Sequence, residues 1–260
     1  MSAPRPTAPP DASERAAVLQ VYREADDPRF ANRRAWRRAL LLALAFAAAG
    51  FAAFSMDLTI GRACVTIPGQ TAAFRVPGDI RKAVNLMEFF GHGFGVAVII
   101  LTTCVLDPTS RRQLGRLIAC AFGAGLVVTL IKALIGRFRP YAFIPEHGTD
   151  STVWVRDTFA GLLPSHEMGS AIQSFPSGHT ATAVGLAVVL AWRYPRGRYL
   201  FTFFAVMVAL QRILSGSHYV SDTLFGAAVG IAFASACIYT VRLGGFFDRL
   251  ADRCSTAPTE

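Results

Sequence analysis

Apolar runs of membrane-spanning length recur along this chain, and short polar stretches interrupt them. A helix needs about 20 predominantly apolar residues to cross a hydrocarbon core of about 30 Å. Runs of that character lie at residues 39–56, 84–106, 117–135, 180–192, 199–214 and 223–241. The pattern predicts an all-α fold, an integral membrane bundle of six transmembrane helices. The fourth run is short as written and reaches spanning length only by extension toward Tyr194. No repeat of solenoid period is visible.

Composition agrees with this pattern. Hydrophobic residues make up 53% of the 260 positions and charged residues only 17%, with a mean hydropathy of +0.40, the balance of a chain whose solvent is the bilayer. The net charge of +9 raises nucleic acid as a partner. Binding of that kind uses a Lys/Arg stripe with interleaved aromatics, and the arginines here cluster beside the apolar runs instead. The expected partner is the lipid bilayer, with no nucleic acid; oligomeric state is not legible.

The arginines also set a direction. Arg33, Arg34, Arg37 and Arg38 precede the first run, and Arg111, Arg112 and Arg116 lie between the second and third. Arg193, Arg196 and Arg198 separate the fourth from the fifth, and Arg242, Arg249 and Arg253 follow the sixth. With six spans all these segments fall on one face, which the positive-inside rule makes cytoplasmic. Both termini are then cytoplasmic, and high Ala and Arg usage with short loops is compatible with a bacterial inner membrane. The expected organisation is a cytoplasmic tail (1–38), a six-span domain (39–241) with an extracytoplasmic loop (141–175), and a second cytoplasmic tail (242–260).

The first tail is rich in Pro, Ala and Ser, and no apolar run of the kind a secretory signal places near its start appears before Ala39. Residues 16–30 read either as a short amphipathic surface helix or as solvated disorder. The loop 141–175 carries Glu146, His147, Asp150, Asp157, His166 and Glu167, and a loop this long is more often a lid or binding element than filler. Trp154, Phe159, Leu162 and Leu163 would let part of it rest on the membrane surface. The five cysteines, Cys64, Cys104, Cys120, Cys237 and Cys254, are scattered singly with no zinc spacing, so they read as packing residues and no structural metal is implied.

Three polar islands carry the chemistry: Lys132 to Pro140 (KALIGRFRP), Pro176 to His179 (PSGH) and Arg212 to Asp222 (RILSGSHYVSD). In the six-span topology Lys132, Arg139, His179, Arg212 and His218 all fall at the outer ends of spans three to six. Ionisable residues at such depth are costly and mark functional sites. If the third span runs on to Pro140, Lys132 and Arg139 stand close to two helical turns apart and project from one face, and Pro140 ends the helix. Lys132 alone would read equally well as a residue snorkelling to the interface. Ser177, Gly178 and His179 open the fourth span, where free backbone N–H groups and the helix dipole favour an anion. Gly178 lets a ligand approach the backbone, and Ser177 adds a hydroxyl or acts as an ordinary N-cap. His218 and Asp222, four apart, let the carboxylate fix the ring and leave the other nitrogen as a nucleophile. A phosphate is the ligand this set suits.

Together these residues resemble the type 2 phosphatidic acid phosphatase family, whose signature is Lys-x6-Arg-Pro, Pro-Ser-Gly-His and Ser-Arg-x5-His-x3-Asp. The chain matches all three parts in order and departs at Gln211, where the family usually has Ser; that position is expected to be peripheral to the phosphate. The resemblance implies a metal-independent, cofactor-free membrane phosphatase acting on a lipid phosphate through a phosphohistidine. In that reading His218 is the nucleophile, Asp222 its orienter and His179 the acid and base. Lys132, Arg139, Ser177, Gly178 and Arg212 would bind the phosphate. The soluble haloperoxidases of the same superfamily are disfavoured by the apolar spans. A non-catalytic lipid-phosphate-binding scaffold on the same fold would be expected to lack His218 or His179. A transporter would be expected to show paired, interrupted helices.

Overall fold

A computed structural model describes residues 28–65, 77–147, 150, 152–164 and 166–255. Most of the N-terminal tail, including most of the 16–30 segment, lies outside the described residues. Ten helices and a two-stranded hairpin account for the regular structure named below. Helix α1 spans Pro28–Cys64, α2 Gly78–Leu86 and α3 Gly93–Leu106. The third apolar run comprises α4 (Leu114–Ile118), a π-helical turn (Ala119–Gly123) and α5 (Ala124–Leu134). Strand β1 (Ile135–Arg137) pairs antiparallel with β2 (Phe159–Leu162), and α6 (Pro140–His147) lies between them in sequence. The remainder is α7 (Gly178–Arg193), α8 (Arg198–Leu214), α9 (Val220–Tyr239) and α10 (Leu243–Ser255).

Four helical segments among the described residues are long and apolar enough to cross a membrane: 32–64, 108–134, 195–214 and 220–239. The second apolar run is broken by 65° between 78–90 and 93–106, and counts as a fifth span if the bent pair crosses as one. Gly91, His92 and Gly93 supply the break. Helix α7 has 16 residues, about 24 Å of rise. It is short for a bilayer, but it is the centre of the bundle: Ala183, Leu186, Val189 and Leu190 are buried against α3, α4, the π turn, α8 and α9, and Ala181 against α5. Surrounded by protein, it does not have to match the hydrocarbon thickness by itself. Leu41, Phe51, Leu101, Leu126, Leu130 and Phe203 instead point outward and are more than half exposed, as expected of a surface solvated by lipid chains.

Two sequence expectations change, the shared helix of Lys132 and Arg139 and the role of Pro140. Lys132 and Arg139 do not share a helix: α5 ends at Leu134, and Ile135-Gly136-Arg137 turns into a strand that pairs with β2. Pro140 accordingly starts α6 instead of ending the third span. The loop 141–175 has structure of its own, namely most of α6, a 3-10 turn at Val155–Thr158, β2 and a kinked 3-10 segment at His166–Ile172. The second tail carries α10, tied to the bundle by Arg116, whose guanidinium reaches the Gly244 carbonyl at 2.9 Å and Asp248 at 2.6 Å.

Two close approaches fix how the polar islands meet. At Gly226, on α9, a β-carbon would lie 2.4 Å from the Ser177 carbonyl oxygen, so only glycine lets α9 press against the start of α7. At Gly91 a β-carbon would lie 2.6 Å from the His179 carbonyl oxygen, which brings the turn before α3 onto the same helix end. At the opposite end, Asp107 accepts from the Thr109 hydroxyl and backbone N–H, from Tyr194 and from Arg193, joining the α3–α4 connection to the end of α7. The Thr109 and Tyr194 hydrogen bonds hold the Asp107 carboxyl well below the usual carboxylate range.

Gly226→Ala is expected to lower the thermal midpoint of the detergent-solubilised protein, with a cost of about 1–3 kcal/mol from the forced backbone shift. Gly245→Ala, where the nearest atom to an added β-carbon is an arginine tip at 3.7 Å, is expected to leave the midpoint unchanged.

Candidate active site

The buried polar centre of the protein is Arg137, with no exposed surface. Its Nη2 donates to Asp57 at 2.8 Å, and its Nη1 to Asp222 at 2.5 Å and to the Ser221 hydroxyl at 2.8 Å. Its Nε donates to the Thr158 hydroxyl at 3.0 Å. The rings of Tyr219, Phe159 and Phe54 surround the guanidinium at 4.2, 4.8 and 5.3 Å from its central carbon. Asp57 also receives the Ser221 backbone N–H at 3.0 Å. A charge this deep is tolerated because two carboxylates and two hydroxyls meet its donors.

Asp222 passes this order on to His218. Its Oδ1 takes Arg137, and its Oδ2 accepts from the Ser174 hydroxyl at 2.6 Å and the Tyr219 backbone N–H at 2.9 Å. Nδ1 of His218 faces the same Oδ2 at 3.7 Å, longer than a hydrogen bond, and has no other partner among the described residues. His218 precedes α9 in the turn after α8, so the pair is not two residues of one helix as the spacing suggested. In that turn the backbone N–H groups of Ser217 and His218 both donate to the Arg212 carbonyl at 3.1 Å. Burial, aided by Lys132 and Arg139 and opposed by Asp222, pushes the His218 ring down to about 4.

Backbone bonds bring the first island to the third despite the lost helix. The Tyr141 N–H donates to the Gly216 carbonyl at 3.0 Å, and the Arg139 N–H to the Ala171 carbonyl at 2.7 Å. Lys132 and Arg139 therefore both act electrostatically on His218, and Arg139 acts on Arg212. Nε of Arg139 is buried with no protein partner among the described residues. The Ser177 N–H donates to the Asp222 carbonyl at 2.9 Å, which docks the second island. The Ser177 hydroxyl oxygen caps α7, accepting from the Thr180 hydroxyl at 3.0 Å and its N–H at 3.5 Å. A β-carbon added at Gly178 would meet Val128 at 3.7 Å, an ordinary van der Waals contact. His179 is within electrostatic reach of Arg212, His218, His92 and Lys132. The predicted residues thus gather at one end of the bundle, with Nε of Arg139 left without a protein partner among the described residues and Nδ1 of His218 turned to Asp222.

The matched segment of the chain decides the family. The PAP2 superfamily is matched over residues 113–244, which contains all three islands. The chain belongs to the PAP2 superfamily. It is 34% identical over 181 residues to the lipid A 1-phosphatase of Rhizobium johnstonii, covering 62% of this chain and 68% of that protein. It is 31% identical over 170 residues to the decaprenylphosphoryl-5-phosphoribose phosphatase of Mycobacterium tuberculosis, covering 65% and 85%. No solved structure gives a significant match. This PAP2 protein is a membrane protein, as its apolar helices and its relatives agree.

Sequence reasoning missed Asp57, Arg137, Ser174 and Glu88. Two of them carried a signal: Asp57 is the only charged residue between Arg38 and Arg62, and Glu88 the only acid in 84–106. Gln211 is not peripheral. It is buried, and its Oε1 accepts from Nε of Arg212.

Removing one member of the triad leaves an uncompensated buried charge, so Asp57→Ala and Arg137→Met are each expected to cost about 3–5 kcal/mol. Thermal unfolding in detergent should show midpoints far below wild type for both. A midpoint unchanged in either variant would contradict the triad.

Proposed function

We propose that the protein is a lipid phosphatase that hydrolyses a lipid phosphate or diphosphate through a phosphohistidine on His218. The observation that supports this most is the convergence of Lys132, Arg139 and Arg212 on two imidazoles, with the buried Nε of Arg139 lacking a protein partner among the described residues. The relatives named above are phosphatases acting on lipid-linked phosphates, which points the same way.

In the first step Nε2 of His218 attacks phosphorus, an N–P bond forms and the bond to the lipid oxygen breaks. The proton on His179 passes to the departing alkoxide. Asp222, itself held by Arg137 and Ser174, stabilises the imidazolium that develops. Lys132, Arg139, Arg212, the Ser177 hydroxyl and the Gly178 N–H stabilise the equatorial oxygens, which is the main electrostatic contribution to phosphoryl transfer. In the second step water attacks phosphorus, its proton goes to His179, and the N–P bond breaks to release inorganic phosphate and neutral His218. Three cationic side chains supply the positive charge, and no metal enters either step.

The six-span topology completes the reading, with the bent pair 78–106 as the second span, α7 as the short fourth span and both termini cytoplasmic by the arginine bias. The site then faces the extracytoplasmic side at headgroup depth. Phosphatidic acid, phosphatidylglycerol phosphate, a polyprenyl diphosphate and a lipid A phosphate all present phosphate there while their chains stay in the bilayer.

Phosphate release by the solubilised protein across these four lipids, with EDTA present, tests the proposal. Release should persist in EDTA and fall by at least about a hundredfold in His218→Ala and His179→Ala. Release that depends on added magnesium, or that survives His218→Ala, contradicts it. The lowered His218 value adds a pH expectation. The nucleophile must be neutral, and a ring held at about 4 instead of the ordinary 6.5 is neutral from pH 5 upward. The acid limb of kcat/KM due to His218 should therefore lie near about 4, so no loss of rate from this group should occur as pH falls from 7 to 5.

A further inference from the structure

Glu88 enters the cluster from the 3-10 turn Met87–Phe90. Its Oε2 receives Nη2 of Arg212 at 2.7 Å, and its Oε1 stands 3.3 Å from Nε2 of His179. Gln211 joins the same group. Its Nε2 donates to Oδ1 of Asn85 at 3.3 Å and to Oε2 of Glu88 at 3.4 Å, while its Oε1 accepts from Nε of Arg212. The Arg212 guanidinium is thereby held along two edges, by an amide and by a carboxylate. A serine at position 211 is too short to reach Asn85, Glu88 and the Arg212 fork together, which gives the glutamine at this position a physical reason.

The groups that face His179 are Glu88 and His92 from the turn and the start of α3, Arg212 from α8, His218 from the turn before α9, and Lys132 from α5. Glu88 is the only negative charge among them. A carboxylate beside an imidazole favours a proton on the nitrogen that faces it, and the facing nitrogen here is Nε2. Glu88 is about one-third exposed, as is His179, so this pair lies at the mouth of the cluster, whereas the Asp222–His218 pair is buried. Gly91 fixes the arrangement, because the backbone of this turn touches the His179 carbonyl.

We propose that Glu88 is a positioning residue that keeps the proton on Nε2 of His179 and the Arg212 fork aligned until the substrate phosphate arrives. The cluster then contains two carboxylate–histidine pairs with separate tasks: Asp222 serves the nucleophile, and Glu88 serves the acid. This inference rests on the phosphatase reading. On arrival the phosphate takes over Arg212 from Oε2, and the leaving oxygen takes over the Nε2–H of His179 from Oε1, so that the proton already sits on the nitrogen that donates it.

The test uses the solubilised full chain and the lipid that wild type hydrolyses fastest, with Glu88→Gln, Glu88→Asp and His218→Ala assayed side by side. Glu88→Gln should lower kcat by about tenfold to a hundredfold, with little change in KM. It should also move the alkaline limb of the kcat profile to lower pH by about one unit, because the acid has lost its negative neighbour. Glu88→Asp should recover part of the rate. Vanadate binding, read as a rise in thermal midpoint, should be kept or strengthened in Glu88→Gln, since the three cations remain and a competing charge is gone. A wild-type kcat and pH profile in Glu88→Gln would overturn the inference, and so would a loss of rate accompanied by a fallen midpoint and lost vanadate binding in both Glu88 variants. An active wild type with an inactive His218→Ala and a normal Glu88→Gln sinks this inference alone. A wild type that releases no phosphate from any of the four lipids removes the phosphatase reading and this one with it.

Discussion

The placement of one guanidinium in the dry interior governs the rest of the protein. Arg137 has no exposed surface, and its cost is met by Asp57 from α1 and Asp222 from α9 together with Thr158 and Ser221. Three distant parts of the chain are thereby committed to one point. Helix α1 cannot leave without stranding Arg137, β1 cannot slip without moving it, and α9 must present Asp222 at the level where His218 ends the preceding turn. A buried pair of this kind is weak evidence for added stability. Its effect here is one of register: it determines which residues meet at the end of the bundle.

From that register follows a division between a dry and a wetter half of the site. On the dry side Asp222 has its oxygens occupied by Arg137, Ser174 and the Tyr219 backbone, and His218 is closed off from solvent. In the proposed reaction this is the ring that serves as the nucleophile, in its neutral form. On the wetter side His179 and Glu88 remain partly exposed and face the open end of the cluster, where a leaving group and then water would have to pass. Small residues make the two halves meet, since glycine at 226 and at 91 lets helix α9 and the turn before α3 touch the two residues that begin α7.

Much of this was legible in the sequence. The three polar islands do converge, and the cations do surround the imidazoles, because motif spacing in a membrane bundle is constrained by depth. The local geometry was less legible. The spacing of Lys132 and Arg139 suits one helix, yet β-branched Ile135 favours extended backbone and Gly136, a poor helix former, pairs with it against β2, and tertiary hydrogen bonds restore the proximity the helix would have supplied. Asp57 lies one residue beyond the apolar run that ends at Met56, although a single acid in a long apolar stretch is a functional signal. Arg137 stands two residues before Arg139, inside an island whose spacing points to Arg139. Glu88 lies in an apolar run that reads as one straight span, whereas the break at Gly91 and Gly93 bends it by 65°, a bend that depends on what packs against it.

In the proposed reaction Asp222, held by Arg137, prepares His218 to carry the phosphoryl group. Rapid alkaline quenching of the turning-over enzyme, followed by peptide mapping in a mass spectrometer, tests this step. An acid-labile phosphoryl group on His218 is expected. Phosphate release with the label on another residue, or with no labelled residue under conditions that preserve phosphohistidine, would contradict it.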